Sequence, residues 1–255
     1  MQMIIVYPGA AFLVAIVVLS FSAWIGATRF RTLRSEAAQQ REDFAVIQGA
    51  TLTLLGLIIG FTFSMALDRY EQRKTYEEEE ANAIGTEYLR AELLPAAEAT
   101  RVRKLLRSYL DQRLLFYTTR DEHSLGQIDA TTARLQAELW SAVKAPALTQ
   151  PTPLMALAVA GMNDVLNSQG YTQAAWWNRI PFSAWLMMGT IAVCATLLVG
   201  VGTRDGMGFS WLMLVLPLII SMAFFLIADI DSPRRGIIRV VPQNLASLSQ
   251  SLQAP

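Results

Sequence analysis

Histidine and cysteine are almost missing from this chain of 255 residues, which holds one of each, His123 and Cys194. A single cysteine excludes an intrachain disulfide, and a single histidine excludes any site that needs two imidazoles. Cys194 lies in an uncharged stretch, where it is expected to pack as a small hydrophobe. His123 sits in the polar run Asp121-Glu122-His123-Ser124 and is expected at the surface. Charge is also scarce, at 16% of residues against roughly 25% in soluble domains. The motifs of common enzymes are missing too: no GxSxG, no HExxH, no phosphate-binding glycine loop and no paired-cysteine metal motif. No enzyme activity, cofactor or metal is therefore expected. Basic and acidic side chains balance at 21 each, and no basic run is long enough to track a phosphate backbone, so nucleic acid is not an expected partner.

What is present is apolar. Hydrophobic residues make up 53% of the chain, and four stretches, 1–28, 44–67, 180–203 and 206–228, contain no Asp, Glu, Lys or Arg. Each is long enough to cross a bilayer, which takes about 20 apolar residues. The first, Met3 to Ala27, has no basic residue before it and too long an apolar run for a signal peptide, so it reads as a retained anchor. The second is Phe44 to Leu67. The third and fourth are joined by Thr203-Arg204-Asp205-Gly206, which predicts an antiparallel hairpin. Pro217 falls within the fourth span, where a membrane helix tolerates a kink. Tyr7, Trp24, Trp176, Trp177, Trp185 and Trp211 lie near span ends, as an aromatic belt would. The absence of charge inside the spans removes the usual mark of a proton relay.

The residues between the second and third spans show no strand alternation. From the second span to Leu94 there is no proline, and Gly85 is the only breaker after the span, so one helix of about 50 residues, roughly 75 Å, is predicted. Pro95 ends it and opens a helix over Ala96 to Thr118 with Val102, Leu105, Leu106, Tyr109 and Leu110 on one face. Another helix is expected from Ser124 to Lys144, then a linker from Ala145 to Pro153. Thr152-Pro153 caps a last helix ending near Gly170, and the final dozen residues read as mobile. The expected fold is all-α: an integral membrane protein with four transmembrane helices and a helical bundle extending from the second. Its expected parts are 1–67, the first two membrane helices; 68–179, the extramembrane bundle; 180–229, the membrane hairpin; and 230–255, a carboxyl-terminal tail.

Basic residues near the spans leave sidedness open. The bundle side has Arg69, Arg73, Lys74, Arg179, Arg234, Arg235 and Arg239. The other side has Arg29, Arg31, Arg34, Arg41 and Arg204.

Three groups of residues are candidates for function. On the second span Gly49, Thr53, Gly56, Leu57, Gly60 and Ser64 fall within about 60° of Thr53. Small residues at such spacing let helices approach closely, and Gly56 with Gly60 forms GxxxG. The same weakly polar face can instead line a water path around an axis, with Leu57 and Phe61 narrowing it. Glu77, Glu78, Glu79 and Glu80 span most of a turn, so at least one is expected to point inward or towards a sister subunit. They are either a solvated turn or an acidic pore mouth that favours cations. Finally, Asp229, Asp231, Arg234 and Arg235 pair acids with bases after the fourth span, as an interfacial anchor or as an inter-subunit or gating contact.

Several runs resemble a bacterial membrane family called bestrophin-like: Gly60-Phe61-Thr62-Phe63-Ser64, Asp68-Arg69-Tyr70, the stretch Glu80-Ala81-Asn82-Ala83-Ile84-Gly85-Thr86-Glu87-Tyr88-Leu89-Arg90, Leu94-Pro95, and Asp229-Ile230-Asp231-Ser232-Pro233-Arg234-Arg235-Gly236. More distantly, Gly60-Phe61, Phe63 and Arg69-Tyr70 look similar to the second helix of bestrophins, which are pentameric, mostly anion-conducting ion channels. That resemblance implies a homo-oligomer, a pentamer, in membrane lipid, conducting inorganic ions, with termini and bundle cytoplasmic in a bacterial inner membrane. It carries the neck onto Thr53, Leu57 and Phe61. Phe61 keeps the neck phenylalanine, Thr53 stands in place of a bulkier aliphatic, and Leu57 in place of an aromatic. The acidic calcium clasp of animal bestrophins has no counterpart here.

Overall fold

The structure, a computed structural model, describes residues 7–29, 41–203 and 211–253. Arg31, Arg34 and residues 204–206 of the link between the third and fourth spans lie outside the described residues, as does the side chain of Arg41. Eight α-helices follow one another among the described residues: α1 Pro8–Thr28, α2 Arg41–Arg90, α3 Ala96–Thr118, α4 Glu122–Thr149, α5 Pro153–Trp177, α6 Phe182–Val201, α7 Val215–Asp231 and α8 Gln243–Gln253. Short 3-10 turns cover Ala91–Leu93 and Trp211–Leu214. No strand occurs among the described residues. The chain forms two compact units, Met1–Arg69 with Arg179–Arg239, and Tyr70–Asn178 with Val240–Pro255.

The first unit holds the membrane spans. α1 packs against both α6 and α7, and glycine makes one of these contacts close. A Cβ on Gly200 would overlap the carbonyl oxygen of Ala23, with Ala27 N at 3.0 Å. One on Gly26 would overlap the Leu197 carbonyl oxygen, with Gly200 Cα at 3.1 Å. Backbones this near need glycine at the crossing. Ser22 Oγ donates to the Val193 carbonyl across the same contact, at 2.9 Å. Trp185 meets Phe224 edge to face at 6.1 Å.

Three details of this unit correct the sequence reading. Pro217 is the third residue of α7, in its first turn, where no N–H donor is needed. Trp185 is buried in the unit instead of standing in an aromatic belt. Cys194 is exposed on the outside of α6, in an apolar groove with Val18, Leu186 and Val193, so it does not pack inside the chain.

The second unit is a helical bundle. α4 packs against α3 and α5, and the stripe predicted on α3 is buried at Val102, Leu106, Tyr109 and Leu110. Phe116, Tyr117 and Trp176 cluster, with ring centroids 5.0 Å apart for Phe116 and Trp176 and 5.5 Å for Tyr117 and Trp176. Trp176 is thus a core residue too. Asp121 caps α4, accepting from Ser124 N at 2.8 Å, and Thr152 caps α5, accepting from Met155 N at 3.2 Å. His123 is exposed as expected.

Helix boundaries in this unit differ from expectation in three places. α4 continues through Pro146 to Thr149, so most of the expected linker is helix. Pro146 opens the last turn and is buried; it forfeits one backbone bond, and the Pro146 carbonyl still accepts from Gln150 N at 2.9 Å. The break falls at Gln150, which precedes Pro151 and so is biased away from helical backbone. α5 passes Gly170 and ends at Trp177; a lone helical glycine costs only about 1 kcal/mol. Residues 243–253 form α8, with Leu245 buried, where a mobile tail was expected.

Candidate functional site

α2 presents two opposed faces. Leu55, Thr62 and Ala66 are buried, while Phe44 and Gln48 lie near the end of α6, where a Cβ on Gly202 would come 2.9 Å from Phe44 and 3.6 Å from Gln48. At about 100° per residue these positions centre roughly opposite Thr53. The small-residue face is the other one. Gly49, Thr53, Gly56, Leu57, Gly60, Phe61 and Ser64 are all exposed, Phe61 at 65%. A Cβ added to Gly49, Gly56 or Gly60 would meet nothing within 4 Å. The protomer's own packing therefore gives no reason for glycine at these three positions, in contrast to Gly26 and Gly200. In its most apolar stretch α2 is 6% buried, against 39% for the helix of the fourth span.

Further along α2 the four glutamates separate. Glu78 and Glu79 are exposed, whereas Glu77 and Glu80 are buried. Glu77 is held by α8, accepting from Asn244 Nδ2 at 2.6 Å and from Leu245 N at 2.9 Å. Glu80 forms an ion pair with Arg113 of α3, both side chains fully buried, and accepts from Tyr117 Oη at 3.3 Å and Thr172 Oγ1 at 3.2 Å. Burial and then the Glu80 charge push the Tyr117 and Tyr109 phenols above their ordinary range, so both stay protonated, and Tyr117 remains a donor to Glu80. For Arg113, burial works against the charge, but Glu80 together with Tyr109 and Tyr117 outweighs it, and the guanidinium pKa is raised. Sequence reasoning missed this network. Its signal was Arg113 itself, a charged residue in phase with the buried stripe of Leu106, Tyr109 and Leu110. The signal for α8 was Leu245, Leu248 and Leu252, spaced as one helix face.

At the end of α7 the acids and bases are engaged within the chain. Asp229 is buried and accepts from Ile237 N at 2.7 Å and Ile238 N at 2.8 Å. The turn closes so tightly that a Cβ on Gly236 would overlap the Asp229 carbonyl oxygen. Asp231, also buried, accepts from Ile180 N at 3.2 Å and pairs with Arg69 at 3.7 Å. Arg235 lies 4.3 Å over the Tyr7 ring, and Arg234 is half-buried. The residues thus tie the ends of three membrane helices: α2 by Arg69, α6 by the segment entering it, and α7. Among the described residues no group of three or more His, Cys, Asp or Glu is placed to hold a metal.

These features define an all-helical integral membrane protein with four helices long and apolar enough to span a bilayer. The sequence matches the Bestrophin-like domain over residues 11–245, and the chain belongs to that family. Its fold is similar to that of a bacterial bestrophin homologue from Klebsiella pneumoniae, with a TM-score of 0.62 at 13% identity, covering 96% of this chain and 98% of the other. A single-site variant described in the same way gives 0.65 at 12% identity, covering 94% and 97%. A structure described as a membrane protein variant gives 0.65 at 13% identity over 94% and 97%. The sequence has no match among curated proteins.

Proposed function

We propose that this chain is the subunit of a homo-oligomeric ion pore, a pentamer as in bestrophins, in which copies of α2 surround the axis and Thr53, Leu57 and Phe61 form the neck. One observation carries the reading: the glycine face of α2 is exposed and each glycine on it faces open space. Lipid contact calls for no such face, since Leu, Ile and Val suit acyl chains and glycine costs helix stability. Glycine and hydroxyl side chains suit either close helix approach or water. Exposed Leu57 and Phe61 supply the apolar constriction at which a pore dewets. Gly49 and Ser64 extend the lining, and exposed Glu78 and Glu79 form the acidic mouth, Glu77 and Glu80 being held by α8 and α3. The bundle and both termini lie in the cytoplasm and the spans in the bacterial inner membrane. No enzymatic chemistry belongs to this reading.

The test is ion flux in vesicles containing the purified protein, with imaging of the particle in lipid. Phe61→Ala widens the neck and raises flux several-fold, and the image shows α2 nearest a rotational axis. A monomeric, non-conducting particle in several mild detergents refutes the proposal. A reporter fused to the carboxyl end checks the sidedness. A second reading rests on Gly56 and Gly60 as GxxxG in open space: a non-conducting scaffold in which that face packs copies together and the bundle binds a partner. In that case Gly56→Leu disrupts assembly while Phe61→Ala leaves permeability unchanged.

A further inference from the structure

Glu87 lies on α2 beyond Glu77 and Glu80. It is fully buried in the second unit, and neither carboxyl oxygen has a hydrogen-bond partner. It reaches α5 at Gly161, where an added Cβ would overlap Glu87 Oε2 and stand 2.6 Å from Arg90 Nη1. The glycine thus makes the room in which this side chain sits. A carboxylate buried without a donor carries an uncompensated desolvation cost, whereas a neutral carboxyl there carries far less.

The charged groups around it do not remove that cost. Burial is the largest influence on this carboxyl; Arg90, one turn on along α2, attracts the anion and opposes burial, while Asp164 on α5 repels the anion and adds to it, so the Glu87 pKa is raised from 4.5 to about 8. α3 offers Arg103 and Arg107, but Arg103 is held by Glu92 at 2.5 Å and Arg107 by the Tyr88 hydroxyl at 2.7 Å. α8 carries no titratable side chain.

We propose that Glu87 is a proton-operated latch between α2 and α5, seated over Gly161 while protonated and released when it gives its proton to solvent. The sign follows from linkage. Seating is fully favourable below the pKa of the released carboxyl, near its ordinary 4.5, and is progressively lost as pH rises to about 8. Across that window the ratio of seated to released protein falls up to about tenfold per pH unit, then levels. The latch stands whether or not the chain conducts. An effect on flux rests on the pore reading, because Glu87 lies on the same helix as Thr53, Leu57 and Phe61.

The experiment is amide hydrogen exchange of the full-length protein in lipid nanodiscs from pH 5 to 9.5, for the wild type, Glu87→Gln and Asp164→Asn. Comparison at each pH cancels the intrinsic pH dependence of exchange. In residues 81–90 and 153–165, the wild-type rate divided by the Glu87→Gln rate should climb up to about tenfold per pH unit and level near pH 8. Asp164 is exposed, so Asp164→Asn should fold and level at a lower pH, having lost the repulsion. A ratio that does not change with pH overturns the latch, since a purely structural glutamate would shift protection equally at every pH. If Glu87→Gln does not fold, wild type against Asp164→Asn decides: coincident profiles overturn the latch. Vesicle flux is read separately, so a working latch with no flux refutes the pore and leaves the latch intact.

Discussion

Alanine in place of glycine separates the two glycine populations of the membrane helices, and the structure gives opposite signs for them. Gly200→Ala puts a methyl onto the Ala23 carbonyl oxygen, with Ala23 C and Ala27 N both at 3.0 Å. All three obstacles are backbone, so relief requires α1 and α6 to move apart. Overpacking of this kind costs about 1–3 kcal/mol, and separation also weakens the Ser22 to Val193 hydrogen bond. Gly60→Ala meets nothing within 4 Å and relieves a helical glycine, a gain of about 0.5–1 kcal/mol. The two variants should therefore differ by roughly 1.5–4 kcal/mol, from the sum of these terms. Equilibrium unfolding of the solubilised protein in mixed micelles resolves a difference of that size. Particle mass and vesicle flux supply the second axis: Gly60→Leu should keep the protomer folded while losing assembly or conduction. The reasoning fails if Gly60→Ala destabilises the protomer as much as Gly200→Ala does, or if Gly60→Leu keeps both wild-type mass and flux.

Breaking the buried ion pair with Arg113→Met leaves Glu80 with only neutral donors and should cost about 3–5 kcal/mol; adding Glu80→Met should recover most of that, as thermal unfolding will read. Asp229→Asn sets an amide donor against one of the two N–H groups of Ile237 and Ile238, a loss of about 1–3 kcal/mol visible in the same assay. Removing α8 strips Glu77 of both donors. Limited proteolysis should then cut the bundle faster, and Glu77→Gln should restore part of the resistance.

The long helix was readable because nothing in residues 41–90 interrupts it: no proline occurs, and the glycines are single. α3 was readable for a similar reason, since Pro95 fixes its start and a stripe of Leu and Tyr fixes its face. Prolines and glycines near helix ends misled the reading. Of Pro146, Pro151 and Pro153, the first is absorbed in a helix, because the backbone bond it forfeits is offset by burial, and only contact with the rest of the bundle reveals that. The small face of α2 was legible from spacing, but its exposure was not, since the pattern serves a packed helix equally well. Partner choice was also hidden. Nothing local says that Glu77 turns to α8 and Glu80 to Arg113, because those partners stand 168 and 33 residues away.

An unbroken rod of 50 residues also constrains how this gene product can change in length. Each inserted or deleted residue between Gly49 and Phe61 would turn one part of the small face against the other by about 100°, splitting the glycines between two sides of the helix. A seven-residue insertion would cost only about 20° of phase. Relatives that vary in this segment should therefore differ by whole heptads.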